Sequence, residues 1–340
     1  MIVLTNCLSE NADEGCLKVA VSLVRALKAQ DPQTTVIGYE RKSQDCDEFL
    51  ELNKAMLSPK LRRLLKKKNE PVLFIPFSAK MRSTAFRTFM VSRMTRKKVI
   101  LLQSMFSPMG KSAKWLMKLS GATILCLSQS SYEEYRQHLG DRVKYLQAGA
   151  DLAHFVPVSP EQKRKLREKY GILGDSPVVL HVGHMKQGRN ISQFLKLDAG
   201  FHGVLVASTH RPDQQEPALG EELKKMPNFT LLDGFQQDIQ EIYGLADVYF
   251  FPVEHQKSCI DVPLSAIEAA ACGIPVVTTP FGELKSLLGK EGFYQIESFE
   301  PKKLNELLQT AVSQKKSPRE AVLSYHWEIA AQKLLEMQNA

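Results

Sequence analysis

The chain has 340 residues, 44% of them hydrophobic and 24% charged, with a formal net charge of +8. That length exceeds one ordinary core and suits two domains of roughly 100–200 residues each, and the composition excludes a disordered chain. Six scattered cysteines (Cys7, Cys16, Cys46, Cys126, Cys259, Cys272) form no C-x-x-C pair and no histidines cluster at metal-ligand spacing, which predicts a reducing compartment and no structural zinc.

Taken in chain order, Met1-Ile-Val-Leu-Thr-Asn6 is a short apolar run with no basic flank before it, the mark of a first β-strand rather than a signal peptide. No stretch approaches the roughly 18 apolar residues needed to cross a bilayer. A cytoplasmic protein is expected, with peripheral attachment to the inner membrane face left open. Strands are predicted at Ile2–Thr5, Thr35–Tyr39, Val72–Ile75, Lys98–Leu102, Thr123–Leu127 and Val143–Leu146, separated by amphipathic stretches such as Leu17–Gln30. After Phe155-Val-Pro-Val-Ser-Pro160 the pattern changes to the charged run Glu161–Lys169, and the linker is placed there. A second series of strands follows at Val178–Val182, Val204–Ala207, Phe229–Leu232, Val248–Phe251 and Pro275–Thr278. Helices are predicted around Ile191–Asp198, Ile239–Leu245 and Ser265–Ala271, and a last apolar helix over Trp327–Met337 is positioned to cross back onto the first domain. The predicted division is 1–157, 158–318 and a returning segment 319–340. Alternating strands and helices predict an α/β protein with two parallel sheets covered on both faces.

The first half is the basic half. From Lys60 to Lys98 there are thirteen Lys and Arg residues against one acid, Glu70. Within it, Leu61-Arg-Arg-Leu-Leu-Lys-Lys-Lys68 sets Leu61, Leu64 and Leu65 on one helical face among cations. Two readings fit: a core-facing stripe with a solvated basic exterior, or an interfacial helix on an anionic membrane. No interleaved aromatics or nucleic-acid motif support a nucleic-acid partner.

In open α/β sheets ligands sit at the carboxyl ends of strands, where helix N-termini present free N–H groups. Three turns qualify. Asn11-Ala-Asp-Glu-Gly15 carries a lone glycine and lacks G-x-G-x-x-G; an ordinary turn and close approach to a ligand fit it equally. His181-Val-Gly-His-Met-Lys-Gln-Gly-Arg-Asn190 brings His184, Lys186 and Arg189 to one loop behind Gly183. Such a loop suits a diphosphate, because guanidinium contacts phosphate oxygens bidentately, although a solvated polar turn has the same composition. The third turn leads from Phe251 through Glu254 and Asp261-Val262-Pro263-Leu264 into an Ala-rich helix closed by Gly273. Pro near the start and Gly past the end mark the helix termini. Glu268, one turn in, reads as a surface carboxylate or as an acceptor for a sugar or ribose hydroxyl.

Gly234-Phe235, Ile242-Tyr-Gly-Leu-Ala-Asp-Val248 and Val262-Pro-Leu-Ser-Ala-Ile-Glu-Ala-Ala-Ala-Cys-Gly-Ile-Pro-Val-Val277 resemble the donor half of glycosyltransferase family 4, enzymes of the GT-B fold. Gly183-His184…Arg189-Asn190 resembles that family's Gly-Arg…Lys-Gly turn, and Leu127-Ser128…Gly149-Ala-Asp151…Phe155 its segment before the linker. The matches span roughly Ile124 to Val277; the first 120 residues match in general layout. The resemblance implies a GT-B fold of two Rossmann-like domains facing a central cleft, and retaining transfer from a nucleoside-diphosphate sugar. It places Arg189 and His184 on the donor diphosphate, with Gly183 and Lys186 in the same turn, and Glu268 on the ribose. Gly234 and Phe235 lie beside the base, and backbone N–H groups from Asp261 and Val262 to Leu264 face the phosphates or sugar. Gly15 lies below the phosphates. Counting back from Glu268 puts Ile260 where the family's first motif glutamate stands; Asp261 or Glu254 are candidate substitutes. Gln103 stands near the place of a family histidine. No Asp-x-Asp motif appears at a suitable turn, so metal-independent transfer without a cofactor is expected, the leaving phosphate itself deprotonating the acceptor hydroxyl. The implied partners are a nucleotide sugar and a glycan or lipid-linked acceptor of surface polysaccharide or glycoconjugate synthesis, with an anionic membrane surface against Lys60–Lys98. A nucleotide-sugar epimerase and a catalytically silent binding protein are the alternatives.

Overall fold

The computed structural model describes residues 1–10, 14–53, 55–77, 80–207 and 216–339. Asn11, Ala12 and Asp13 of the first turn lie outside the described residues. The chain divides into two compact units. Unit 1 comprises Met1–Gly149, Ile260–Val262 and Trp327–Ala340, and unit 2 comprises Ala150–Cys259 and Pro263–His326. The chain thus passes between units at Gly149, ahead of Phe155–Pro160, and the C-terminal segment groups with unit 1 from Trp327 onward.

Unit 1 holds strands β1 (Ile2–Thr5), β2 (Thr35–Tyr39), β3 (Glu48–Leu50), β4 (Val72–Ile75), β5 (Val99–Gln103), β6 (Thr123–Cys126) and β7 (Val143–Tyr145). They form one parallel sheet in the order β3-β2-β1-β4-β5-β6-β7. Its helices are α1 (Gly15–Gln30), α2 (Pro59–Lys68), α3 (Met81–Ser92), α4 (Lys111–Ser120) and α5 (Gln129–Leu139). In unit 2, β8 (Val178–Gly183), β9 (His202–Ala207), β10 (Phe229–Asp233), β11 (Val248–Phe251), β12 (Val276–Thr278) and β13 (Phe293–Gln295) give the parallel order β10-β9-β8-β11-β12-β13. Its helices are α6 (Pro160–Lys169), α7 (Pro217–Lys224), α8 (Ile239–Gly244), α9 (Leu264–Ala271), α10 (Leu284–Leu287), α11 (Pro301–Gln314) and α12 (Arg319–Val322). The last helix, α13 (Trp327–Asn339), packs on α1 within unit 1, where Gln30 Nε2 donates to the Glu328 carbonyl at 2.6 Å. Both sheets are doubly wound, and strand order reverses beside β1 in unit 1 and beside β8 in unit 2.

Buried central strands explain why the apolar runs are continuous rather than alternating: Ile2–Thr5, Val72–Ile75 and Val248–Phe251 are buried at every position. Three details depart from expectation. The segment expected as an α-helix over Ile191–Asp198 is a 3₁₀ helix, Ile191–Lys196. Its two buried residues, Ile191 and Phe194, stand three apart, so the tighter three-residue period stacks both over the core. The short strands β3 and β13 went unpredicted, since three residues at a sheet edge carry no readable period. The charged run after the linker is helix α6, which buries none of its residues. A capping box between Ser159 and Gln162 starts it, and Lys163 and Arg167 fasten it to Asp247 and to the Ala246 and Leu245 carbonyls.

The leucine stripe of α2 faces the core. Leu61 and Leu65 are fully buried and Leu64 packs beside them, while Arg62, Arg63, Lys66, Lys67 and Lys68 are exposed. The interfacial reading of the stripe is therefore corrected: Leu61 and Leu65 are buried in a cluster that includes Leu50, Met56 and sheet side chains, and Leu64 is partly buried against it.

Candidate donor site in unit 2

The turn after β8 is shaped by what its backbone must do. β8 ends at Gly183, beside β11, at the point where the strand order reverses. Gly188 (φ +87°) and Asn190 (φ +58°) are left-handed on either side of Arg189, a conformation that glycine adopts freely and asparagine tolerates. The two reversals fold Arg189 back over the strand end. Its side chain is only 7% exposed, and its Nε donates to the Ser258 carbonyl at 2.9 Å. A Cβ on Gly183 would stand 2.5 Å from Arg189 Nη1, so glycine is what lets the guanidinium lie against the strand end. Among the described residues no carboxylate pairs with this buried cation. A buried guanidinium without an anion is costly, and an anionic ligand at this turn would offset that cost.

Beneath it lies a residue that the sequence reading passed over. His181 is fully buried, stacks between Tyr249 and Phe251 with ring centroids 6.0 and 5.8 Å away, and meets the Phe250 carbonyl through Nδ1 at 2.8 Å. A carbonyl only accepts, so Nδ1 carries the proton. Burial, reinforced by the Arg189 charge, lowers the imidazole pKa to about 3, and the ring is neutral at physiological pH. One signal was legible: a single histidine in an otherwise apolar strand, two residues before Gly183 and so on the same sheet face.

This histidine gives a testable pH dependence. The native ring stays neutral down to about pH 3, whereas the unfolded ring takes a proton near its ordinary value of about 6.5. The unfolded chain therefore binds more protons in acid, and stability is retained above the unfolded value and lost as pH falls below it. Between pH 7 and pH 5, calorimetric unfolding should show the wild type losing about 2 kcal/mol more than His181→Asn, which keeps a donor for Phe250. Equal losses in the two proteins would refute the assignment.

The other expected residues are distributed as follows. His184 is buried and Lys186 half-buried in the same turn as Arg189. Glu254 is exposed and accepts from Asn190 Nδ2 at 2.6 Å, which brings it to the edge of that turn. Glu268 is buried, and its Oε2 accepts from the Tyr243 hydroxyl at 3.0 Å. Burial first, then the Glu268 carboxylate, pushes the Tyr243 phenol well above its usual range, so it stays a neutral donor. Tyr249 donates to Ser265 Oγ at 2.7 Å and so ties β11 to the first turn of α9. Gly234 (φ +91°) ends β10 and Phe235 beyond it is exposed. The side chains of Val262 and Leu264 are buried.

Four expected residues, Gly15, Gln103, Asp261 and Val262, sit in unit 1, as does Ile260. Asp261 is buried, with its carboxylate accepting from the Phe106 N–H at 2.6 Å and from the Ser128 and Ser131 hydroxyls. Its own N–H donates to the Ser104 carbonyl at 2.9 Å. The expectation that this N–H faces a donor phosphate is thus corrected, because a carbonyl already takes it. Ile260, at the position of the missing glutamate, is buried, and a Cβ on Gly15 would stand 2.7 Å from its Cδ1. Gly15, the first residue of α1, is therefore accounted for by packing against Ile260. Gln103 is buried and turns its amide onto the Met105 carbonyl at 2.6 Å.

These features coincide with the segment that matches a known family: residues 176–314 match glycosyl transferases group 1. A curated relative, the GDP-mannose-dependent monoacylated alpha-(1-6)-phosphatidylinositol monomannoside mannosyltransferase of Corynebacterium glutamicum, is 24% identical over 198 residues, 54% of this chain and 50% of the relative. The chain spans about half the length of that relative. A glycosyltransferase structure from Rickettsia africae ESF-5 superposes with TM-score 0.78 at 16% identity, over 99% of this chain and 97% of the other. The Anabaena protein HepE in complex with UDP and glucose gives 0.75 at 14% identity, over 100% and 99% of the chains. Sucrose-phosphate synthase from Thermosynechococcus elongatus gives 0.76 at 16% identity, over 99% and 98%. The fold is GT-B, as these glycosyltransferase structures share it across nearly the whole chain. The matched segment contains Arg189, His181, Tyr243 and Glu268, together with strands β8 to β13.

Proposed function

We propose that the protein is a retaining glycosyltransferase that moves a sugar from a nucleoside-diphosphate sugar to a hydroxyl of a glycan or lipid-linked acceptor, at the cytoplasmic side of surface glycoconjugate synthesis. One observation carries the donor half of this reading: the buried Arg189 guanidinium, unpaired with any carboxylate among the described residues, at the strand end where the sheet of unit 2 reverses its strand order. Departure of the nucleoside diphosphate builds negative charge on a phosphate oxygen, and a fixed guanidinium stabilises that charge without reorganising. His184 is the second donor to the diphosphate. Glu268, oriented by Tyr243, takes the ribose hydroxyls, and exposed Phe235 supports the base. HepE's complexes with UDP and UDP-glucose support a nucleotide-sugar donor. The Corynebacterium relative acts on a phosphatidylinositol mannoside, which supports a lipid-linked acceptor.

A thermal-shift screen of the purified chain against UDP, GDP, ADP and their sugar conjugates tests it. Ligand at about 100 times its dissociation constant should stabilise the native state by roughly 2.7 kcal/mol. One nucleotide class should stabilise the wild type and fail with Arg189→Ala and Glu268→Ala; a shift that survives in both variants would sink the assignment. A second reading, a donor-binding protein without transfer, is favoured by one observation: Ile260 packs as an apolar residue where the family has a carboxylate. Nucleotide-dependent stabilisation with no donor hydrolysis at any pH would select it.

A further inference from the structure

Unit 1 carries a surface that its own core does not explain. From Pro71 to Tyr132 the sequence holds ten Lys and Arg residues and no Asp or Glu. The nearest acid upstream, Glu70, pairs with the N-terminal amine at 2.8 Å. Within this stretch α4 buries Ala113 and Met117 and leaves Trp115 62% and Leu119 49% exposed. Those two stand four apart, on one face, with Lys111 and Lys118 exposed beside them. Helix α3 packs against α4, and Phe86, 40% exposed, lines a groove of about 480 Å³ together with Trp115 and Leu116, with Lys80 and Arg82 at its rim. Arg82, Phe86, Met90 and Arg93 follow one another at helical spacing, and Met90 and Arg93 line a second groove with Arg62, Arg63 and Lys66 of α2. One cationic surface with an apolar ridge thus runs over α4, α3 and α2.

We propose that this face docks on an anionic lipid bilayer, with Trp115, Phe86 and Leu119 entering the headgroup region and the surrounding cations meeting lipid phosphates. The chemistry selects the occupant. Tryptophan is at home at the membrane–water interface, where one edge is apolar and the other wet, and clustered Lys and Arg are drawn to the negative surface potential. An acid-free stretch of this length is complementary to a continuous anionic surface. The leucines of α2 contribute nothing to the ridge, being buried, but its cations border it. The inference is independent of which donor unit 2 takes.

The protein contains its own reporter. It has two tryptophans, of which Trp327 is buried and Trp115 exposed. In a Trp327→Phe background, vesicles of phosphatidylcholine with about 30 mol % phosphatidylglycerol should shift Trp115 emission to the blue and carry the protein in flotation, and phosphatidylcholine alone should do neither. Replacing Lys111, Lys114 and Lys118 together with glutamine should weaken partition roughly a hundredfold, about fivefold for each cation removed. Trp115→Ala should weaken it roughly tenfold without changing the unfolding temperature, because an exposed side chain is removed. Absence of a blue shift and of flotation at low salt would overturn the proposal, as would binding indifferent to all of these substitutions. A concentration-dependent dimer abolished by Trp115→Ala, with no vesicle binding, would overturn it in favour of self-association. Nucleotide-induced stabilisation, measured on the same variants, should be unchanged, so the membrane face and the donor site stand or fall separately.

Discussion

Arg189→Ala should lower the rate of donor cleavage by roughly 10²–10³-fold, the loss seen when one preorganised donor to a developing oxyanion is removed. Folding stability should move by no more than about 1 kcal/mol. The variant loses one hydrogen bond to the Ser258 carbonyl, but it also removes a buried cation that lacks a carboxylate partner. Separating the two effects is what makes the variant informative: an enzyme that folds normally, fails to release nucleoside diphosphate and is no longer stabilised by the nucleotide places the guanidinium on the phosphates. Arg189→Lys should recover only part of the rate, since an ammonium cannot make the planar bidentate contact. Activity of Arg189→Ala within tenfold of the wild type, measured by diphosphate release, would remove the central piece of the proposed site.

Asp261→Ala should cost about 3–5 kcal/mol of unit 1 stability. The carboxylate accepts from the Phe106 N–H, Ser128 and Ser131, all buried or half-buried, and each donor left without a partner costs about 1–3 kcal/mol, less where a hydroxyl can rotate to another acceptor. Asp261→Asn keeps an acceptor of the same shape and should cost less, about 1–2 kcal/mol, because charge-assisted bonds become neutral ones. Both tryptophans, Trp115 and Trp327, belong to unit 1, so denaturant unfolding followed by their fluorescence reports this unit. A double-mutant cycle with Ser131→Ala should give a coupling of about 0.5–3 kcal/mol. A loss below about 1 kcal/mol for Asp261→Ala would mean that the serines find other acceptors and that the carboxylate anchors nothing.

The candidate site was legible in proportion to how local its signals are. The turn at Gly183–Asn190 announced itself through glycine spacing and three cationic or polar side chains, because left-handed turns restrict residue choice at each position. The carboxylate at Glu268 was legible from the helix termini on either side of it. His181 was missed because periodicity classes a strand histidine with its apolar neighbours. The bond from Tyr243 to Glu268 and the carbonyl of Ser258 under Arg189 were missed because each joins residues from separate elements, and no spacing rule links positions 25 or 69 apart. The leucine stripe of α2 read equally well as core or membrane face; only the cluster around Leu61 and Leu65 decided it.

By itself, the sequence determined the class of the fold and the order of its elements. Buried parallel strands demand continuous apolar runs, and surface helices demand a 3.6-residue period, so both are written locally. It also determined that the conspicuous chemistry would gather at the turns after β8 and β11. The tertiary structure decided which of those groups are taken up by packing and hydrogen bonds within unit 1 and which stay at the turns of unit 2. Asp261 and Ile260 stand in the motif beside Glu268, yet they belong to unit 1, where Ser131 and Gly15 engage them. It likewise decided that α4, not α2, exposes the apolar ridge, because which side of an amphipathic helix is covered depends on neighbours distant in sequence. Burial is a property of three-dimensional packing, and a residue's chemistry changes with it: the same carboxylate is a ligand acceptor at an open turn and a structural anchor once three donors surround it.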